Sequence, residues 1–187
     1  MDKKEVLRYL RTSSQTQDAQ ILALVDEAIA QTERAATPKT LYKIFDCTVS
    51  ANGVMIGGCF FESKRLAQQL QGCRRAVVFG ATLGLGVDRL IQRAGTTDIA
   101  AAMAYQAAAA ALIEEVCDAL EEQIKAAHGV TLRQRYSPGY FDLDITAQRQ
   151  LFALIDITKR IGLALTDTCE MVPTKSVTAI IGIEDKE

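Results

Sequence analysis

Residues 98–129 read DIAAAMAYQAAAAALIEEVCDALEEQIKAAHG, and the fold class turns on how this stretch is interpreted. Thr97 and Asp98 are good helix starters, because a short side-chain oxygen can accept from the free N–H groups of a first turn, and Gly129 is a good stop. One long helix running to about His128 is therefore expected. Alanines at 100–102 and 107–111 project only a methyl group, so neighbouring elements can approach closely, and this helix is expected at the centre of the molecule. A membrane span is the competing reading of residues 99–113. That apolar run is short, carries Gln106, consists mostly of weakly hydrophobic alanine, and is flanked by Asp98 and Glu114, so a buried helix of a soluble protein fits better.

Towards the N-terminus, residues 3–10 and 18–34 read as helices. In the second, Ile21, Leu24, Val25, Ala28 and Ile29 recur at helical spacing and form a docking stripe. Pro38 closes this helical segment. Residues 41–49 then read as a strand, Asn52-Gly53 as a hairpin turn, residues 54–56 as the return strand, and Gly57-Gly58 as a bend before a further piece at 59–61. Ser63 is placed to cap a helix carrying Leu66 and Leu70. Residues 75–80 supply a short buried strand that runs into the turn GATLGLG, and a helix follows over 87–93.

Past the long helix, residues 131–135 read as a strand and Ser137-Pro138-Gly139 as a turn. Asp144 is placed to cap a helix with Leu151, Phe152 and Ile155 facing inward, which Gly162 stops. Val177, Ala179, Ile181 and Ile183 mark a last strand, buried on both faces. Strands separated by helices of unequal length, with an early hairpin, predict an α+β fold. Its mixed or antiparallel sheet would pack against helices that include the long central alanine-rich one. A single domain over 1–187 is expected, with a helical N-terminal segment at 1–37 and an α+β core at 38–187.

Composition narrows the function classes. With 49% hydrophobic and 24% charged positions the chain can close a core, and a net charge of -2 without a basic block gives no attraction to nucleic acid or to an anionic membrane. The five cysteines are odd in number, widely spaced and lack a C-x-x-C pair, so they read as buried thiols in a reducing compartment. Charges in the first residues oppose a signal peptide, and a cytoplasmic location is expected. His128 is the single histidine, which argues against most catalytic triads and multi-histidine metal sites. Neither a catalytic residue nor a metal ligand is assigned.

Chemistry concentrates in Arg135-Tyr136-Ser137-Pro138-Gly139-Tyr140. An arginine offers a planar fork of donors that fits a carboxylate in two parallel hydrogen bonds. Gly139 lets backbone approach a ligand, Pro138 stiffens the loop, and Tyr140 combines an aromatic face suited to a cation with a hydroxyl. Taken alone these residues have plainer readings. Arg135 can pair a surface carboxylate, Pro138-Gly139 can be an ordinary turn, Tyr140 a core aromatic, and Glu114 a solvated helix charge. Asp142 reads as a turn residue. GATLGLG has the spacing of a dinucleotide-binding turn, but no second βα unit follows it.

That run is followed by Asp142, Leu143 and Gln148, then Ile161-Gly162, Leu165-Thr166, Met171, Pro173 and Ser176-Val177. In this order, over about residues 133–182, the chain resembles the activation domain of cobalamin-dependent methionine synthase, which carries an R-x-x-x-G-Y loop, a Gly-x-x-Leu-Thr stretch and an M-x-P-x-x-S-V strand entry. It also resembles the versions of that domain found as separate small proteins, which would serve a methionine synthase that lacks its own. The resemblance implies S-adenosylmethionine bound by Arg135, Ser137, Pro138, Gly139, Tyr140 and Glu114, with Tyr140 facing a corrinoid. The segment before the arginine, HGVTLRQ, departs from the family by lacking a second acid.

The function so implied is an accessory subunit of a methyltransferase, active with its corrinoid partner. The cobalamin would be held by a methionine synthase core or another corrinoid protein, and a flavodoxin- or ferredoxin-type donor would support reductive methylation of the oxidised cobalt. Two other readings remain at this point: a non-catalytic module that caps a corrinoid protein, and a small nucleotide-binding oxidoreductase using GATLGLG.

Overall fold

In the computed structural model, which describes residues 1–184, helices begin where the sequence supplies caps. The first two, α1 (Lys3–Tyr9) and α2 (Ala19–Ala35), start at Asp2 and Asp18, whose carboxylates accept first-turn backbone N–H groups. Strands β1 (Lys39–Val49), β2 (Gly53–Ile56) and β3 (Cys59–Glu62) follow, then α3 (Lys64–Gln69), β4 (Arg75–Thr82), α4 (Leu85–Gly95) and α5 (Ile99–His128). The remainder is β5 (Thr131–Leu132), α6 (Ala147–Ile155), α7 (Ile157–Ile161), β6 (Ala164–Leu165), β7 (Met171–Val172) and β8 (Ser176–Glu184).

Six strands form one sheet in the order β3-β2-β1-β4-β8-β5, every pairing antiparallel, and β6 with β7 forms a separate ribbon. This is the α+β architecture expected. The side-chain alternation of β4 and β8 divides the core into two layers. Val77, Phe79, Ala81, Ala179, Ile181 and Ile183 pack beneath α5, while Ala76, Val78 and Ile180 pack under α6 and α7. A third cluster joins Val6, Leu7, Val25 and Ala28 to Ala104, Ala107, Ala108 and Ala111, so the methyl-only surface of α5 seats the first two helices. By length and composition α5 could cross a membrane. Here its Ile113, Cys117, Leu120 and Ile124 lie on the sheet and its alanines on α1 and α2.

Several local expectations are corrected. The first hairpin forms, but its turn centres on Ala51-Asn52, with Ser50 N donating to Gly53 O at 2.9 Å. Gly53 sits one place later, where a Cβ would run into the Phe61 carbonyl. The strand expected at 131–135 shortens to two residues plus a bridge from Tyr136 to Ile180. The helix expected from Asp144 to Gly162 is two helices, because Asp156 takes a left-handed conformation (φ 52°) between them. Asp144 caps a turn ahead of the first of these, accepting from Thr146 N at 2.8 Å. Four cysteines are buried thiols, whereas Cys59 is half-buried.

Candidate functional site

The edge of β8 explains why an open site forms. Beyond Ile183 and Glu184, which pair with β5, Arg133 N donates to Gly182 O at 2.9 Å, and Tyr136 then exchanges both backbone hydrogen bonds with Ile180 at 2.9 Å. Continuing that register would set Pro138 opposite Thr178. Proline has no N–H to give the ladder, and Gly139 turns the chain away with φ 88°. The Ser176 end of β8 is left without a strand on this side among the described residues, and a groove of about 520 Å³ opens along it.

At one end of the groove Arg135 meets three carboxylates of α5. Its Nη2 donates to Glu114 at 2.5 Å, and its Nη1 donates to Asp118 at 2.7 Å and to Glu121 at 2.5 Å. The acids stand four and three residues apart, which places them on one helix face. Burial pulls the Arg135 pKa down, but the hydrogen bonds it donates to Asp118, Glu121 and Glu114 outweigh it and the net displacement is upward, so the guanidinium stays charged. Beneath it, burial pushes the Cys117 thiol up to about 12 despite the nearby positive charge, leaving an unreactive side chain.

The loop after Arg135 is held at several points. Gly139 N donates to Leu143 O at 2.8 Å, and Leu143 is buried. Asp142 reaches back across the fold. It accepts from the Ser63 hydroxyl at 2.5 Å and from the Lys64 and Arg65 backbone at 2.8 and 3.2 Å. It therefore serves the N-terminus of α3 as well as its own turn, which corrects the purely local role expected. The Ser63 hydrogen bond, against an opposing effect of burial and aided by the two amides, holds its carboxyl below the ordinary value.

Two aromatic side chains stand out from this loop: Tyr140 is 64% exposed and Phe141 is 80% exposed. Phe141 has φ 52°, a conformation L side chains rarely adopt, while its ring stacks on Tyr136 at 6.0 Å and lies under Arg65. The core role considered for Tyr140 is thus excluded.

The structure gathers most of the residues singled out by sequence. Glu114, Arg135, Ser137, Pro138 and Tyr140 line one groove, and Gly139 supplies the turn behind them. Asp118, Glu121 and Gln148 were not assigned from sequence. The signal for the first two was present, since their spacing from Glu114 puts them on its face once helix α5 is accepted. GATLGLG is committed elsewhere: a Cβ at Gly84 would strike the Thr37 hydroxyl, and one at Gly86 the Ala35 carbonyl. Gly84 and Gly86 thus admit the end of α2 and the residues just after it, while Gly80 lies against Ile157 of α7.

The fold and groove thus define an α+β domain with an open cleft beside the Ser176 end of β8, lined by an arginine, one of the three acids that hold it, and exposed aromatic rings. Residues 66–186 match the family described as vitamin B12 dependent methionine synthase, activation domain, and the chain belongs to that family. Among solved structures it is similar to the MetH reactivation domain bound to AdoHcy, with a TM-score of 0.68 at 16% identity, over 96% of this chain and 70% of that one. At that identity the likeness shows the fold. No curated protein sequence matches the chain.

Proposed function

We propose that the groove binds S-adenosylmethionine and that the chain acts as a reactivation module for a cobalamin-dependent methionine synthase. The cobalamin is carried by a partner, a methionine synthase core or another corrinoid protein. The carrying observation is the meeting of Arg135 with Glu114, Asp118 and Glu121 at the head of the groove, in a member of the activation-domain family. The similar reactivation domain solved with AdoHcy supports the same reading.

The residues present fit such a ligand. A guanidinium has five N–H donors, of which three are used by the acids, so two remain for a carboxylate. Three carboxylates against one arginine leave the cluster net negative, which suits a ligand carrying an ammonium and a sulfonium. Asp118 and Glu121 thereby supply the acidity that HGVTLRQ lacks. The groove volume falls in the range of about 300 to 1,000 Å³ usual for small-molecule clefts.

Bound here, S-adenosylmethionine would supply its sulfonium methyl group to cobalt of the partner's corrinoid, reduced by one electron from a flavodoxin- or ferredoxin-type donor, with neutral S-adenosylhomocysteine as the leaving group. The chain's own residues orient and shield. In this reading Arg135 and its acids hold the amino-acid end, the stiff Pro138-Gly139 turn shapes the wall, and Tyr140, exposed at the groove, would face the partner's corrinoid. No general base is required of the chain; because the methyl acceptor is carried by the partner, in this reading the chain is an accessory subunit active only with its corrinoid partner.

Calorimetry with S-adenosylhomocysteine tests the reading. The wild-type protein is expected to bind, and Arg135→Ala to bind more weakly by roughly 1.5 to 3 kcal/mol, the cost of losing charge-assisted hydrogen bonds. A wild-type protein that captures a corrinoid partner yet releases no heat with the ligand would leave the capping module as the correct account.

A further inference from the structure

Gln148 lies in the first turn of α6 on the wall of the same groove and is only 4% exposed. Its Oε1 accepts from the Thr178 hydroxyl at 2.5 Å, and Thr178 is itself 1% exposed. That separation suits O–H···O, whereas N–H···O bonds run at about 2.7 to 3.2 Å, so the carbonyl end of the amide is the end that Thr178 fixes. The amide nitrogen has no hydrogen bond among the described residues. Nor is it sealed in the interior, because the orphaned buried side-chain atom among the described residues is the Thr32 hydroxyl. A buried amide locked at one end thus presents two N–H donors to the groove.

We infer that Gln148 is a specificity-determining residue for the ligand, donating from Nε2 to an acceptor nitrogen of an adenine ring. The assignment rests on the S-adenosylmethionine reading and extends it to the nucleoside half. The groove lining has charged and apolar parts. The cluster at Arg135 suits a carboxylate and an ammonium, while Gln148 is neutral and the same groove is also lined by the apolar side chains of Ile145, Met171 and Val177. A flat heteroaromatic ring matches apolar walls with one fixed donor, and a donor held against acting as acceptor discriminates among ring edges. Thr178 is a positioning residue, acting through Gln148.

Binding of S-adenosylhomocysteine and of 5′-methylthioadenosine, which lacks the amino-acid group, separates the contributions. Gln148→Leu is expected to weaken both ligands about threefold to tenfold, the range for one neutral hydrogen bond. Gln148→Glu keeps the size of the side chain and the Thr178 contact but loses the donor, so it should weaken both as well and serves if the leucine variant does not fold. Arg135→Ala should weaken S-adenosylhomocysteine and spare 5′-methylthioadenosine. Thr178→Val, which frees the amide to rotate, should give an intermediate loss on both. Unchanged affinity for 5′-methylthioadenosine in folded Gln148→Leu or Gln148→Glu, with wild-type protein binding normally, overturns this assignment alone. Failure of wild-type protein to bind either ligand removes the S-adenosylmethionine reading and this inference with it.

Discussion

On one face of the sheet, Val77, Phe79, Ala81, Ala179, Ile181 and Ile183 meet a helix of 30 residues. On the other, Ala76, Val78 and Ile180 share β4 and β8 with Thr178 and Ser176 and meet helices of 6, 9 and 5 residues. A long helix with methyl-sized and branched side chains covers its face end to end. Short helices joined by left-handed residues cannot, and where they stop, polar side chains of β8 become the floor of a cleft. The closed face buries its apolar layer beneath α5 and the interrupted face opens the groove, and both share the same two strands.

Four substitutions or measurements break or sharpen that contrast. The largest effect is expected for Phe79→Ala on the closed face, where a fully buried ring is lost. Chemical denaturation should show a loss of about 3 to 5 kcal/mol, with a loss under 1 kcal/mol meaning that the α5 layer is loosely packed.

Next comes the tie between the groove loop and α3. Because the Asp142 carboxyl is held below its ordinary value of 3.8, the stabilisation it contributes is complete above that value and is lost as pH falls through the depressed one. Wild-type protein should therefore melt higher than Asp142→Asn at neutral pH, with the difference closing in acid. A gap that stays constant across the acid range would show that the carboxylate charge plays no part.

A smaller effect is expected at Phe141. Asparagine accepts a left-handed backbone, so relief of about 1 to 2 kcal/mol of strain should offset the lost ring contacts of about 0.5 to 1.5 kcal/mol. Phe141→Asn should keep its unfolding free energy within about 1 kcal/mol of wild type in chemical denaturation. A large destabilisation would make this ring part of the core instead of the rim. Last, a thiol reagent should label half-buried Cys59 rapidly in the native protein and leave Cys117 untouched, since burial keeps that thiol protonated up to about pH 12. Rapid labelling of Cys117 would mean that the Arg135 end of α5 opens readily.

What the sequence determined by itself is whatever short range controls. Asp18 and Asp98 begin their helices, and Gly129 and Gly162 end theirs. Strands separated by helices of unequal length, the early hairpin and the long alanine-bearing helix pointed to the fold class, and the R-x-x-x-G-Y loop with its downstream pieces pointed to the family. These features rest on local backbone preference and side-chain periodicity, which a linear string records. The break at Asp156, the reach of Asp142 to Ser63 across 79 positions, the hold of α5 on Arg135 and the donor left on Gln148 were settled only by folding. Each is a match between groups far apart in sequence. Partner, distance and burial come into being when the layers close, and no propensity of the individual residues encodes them.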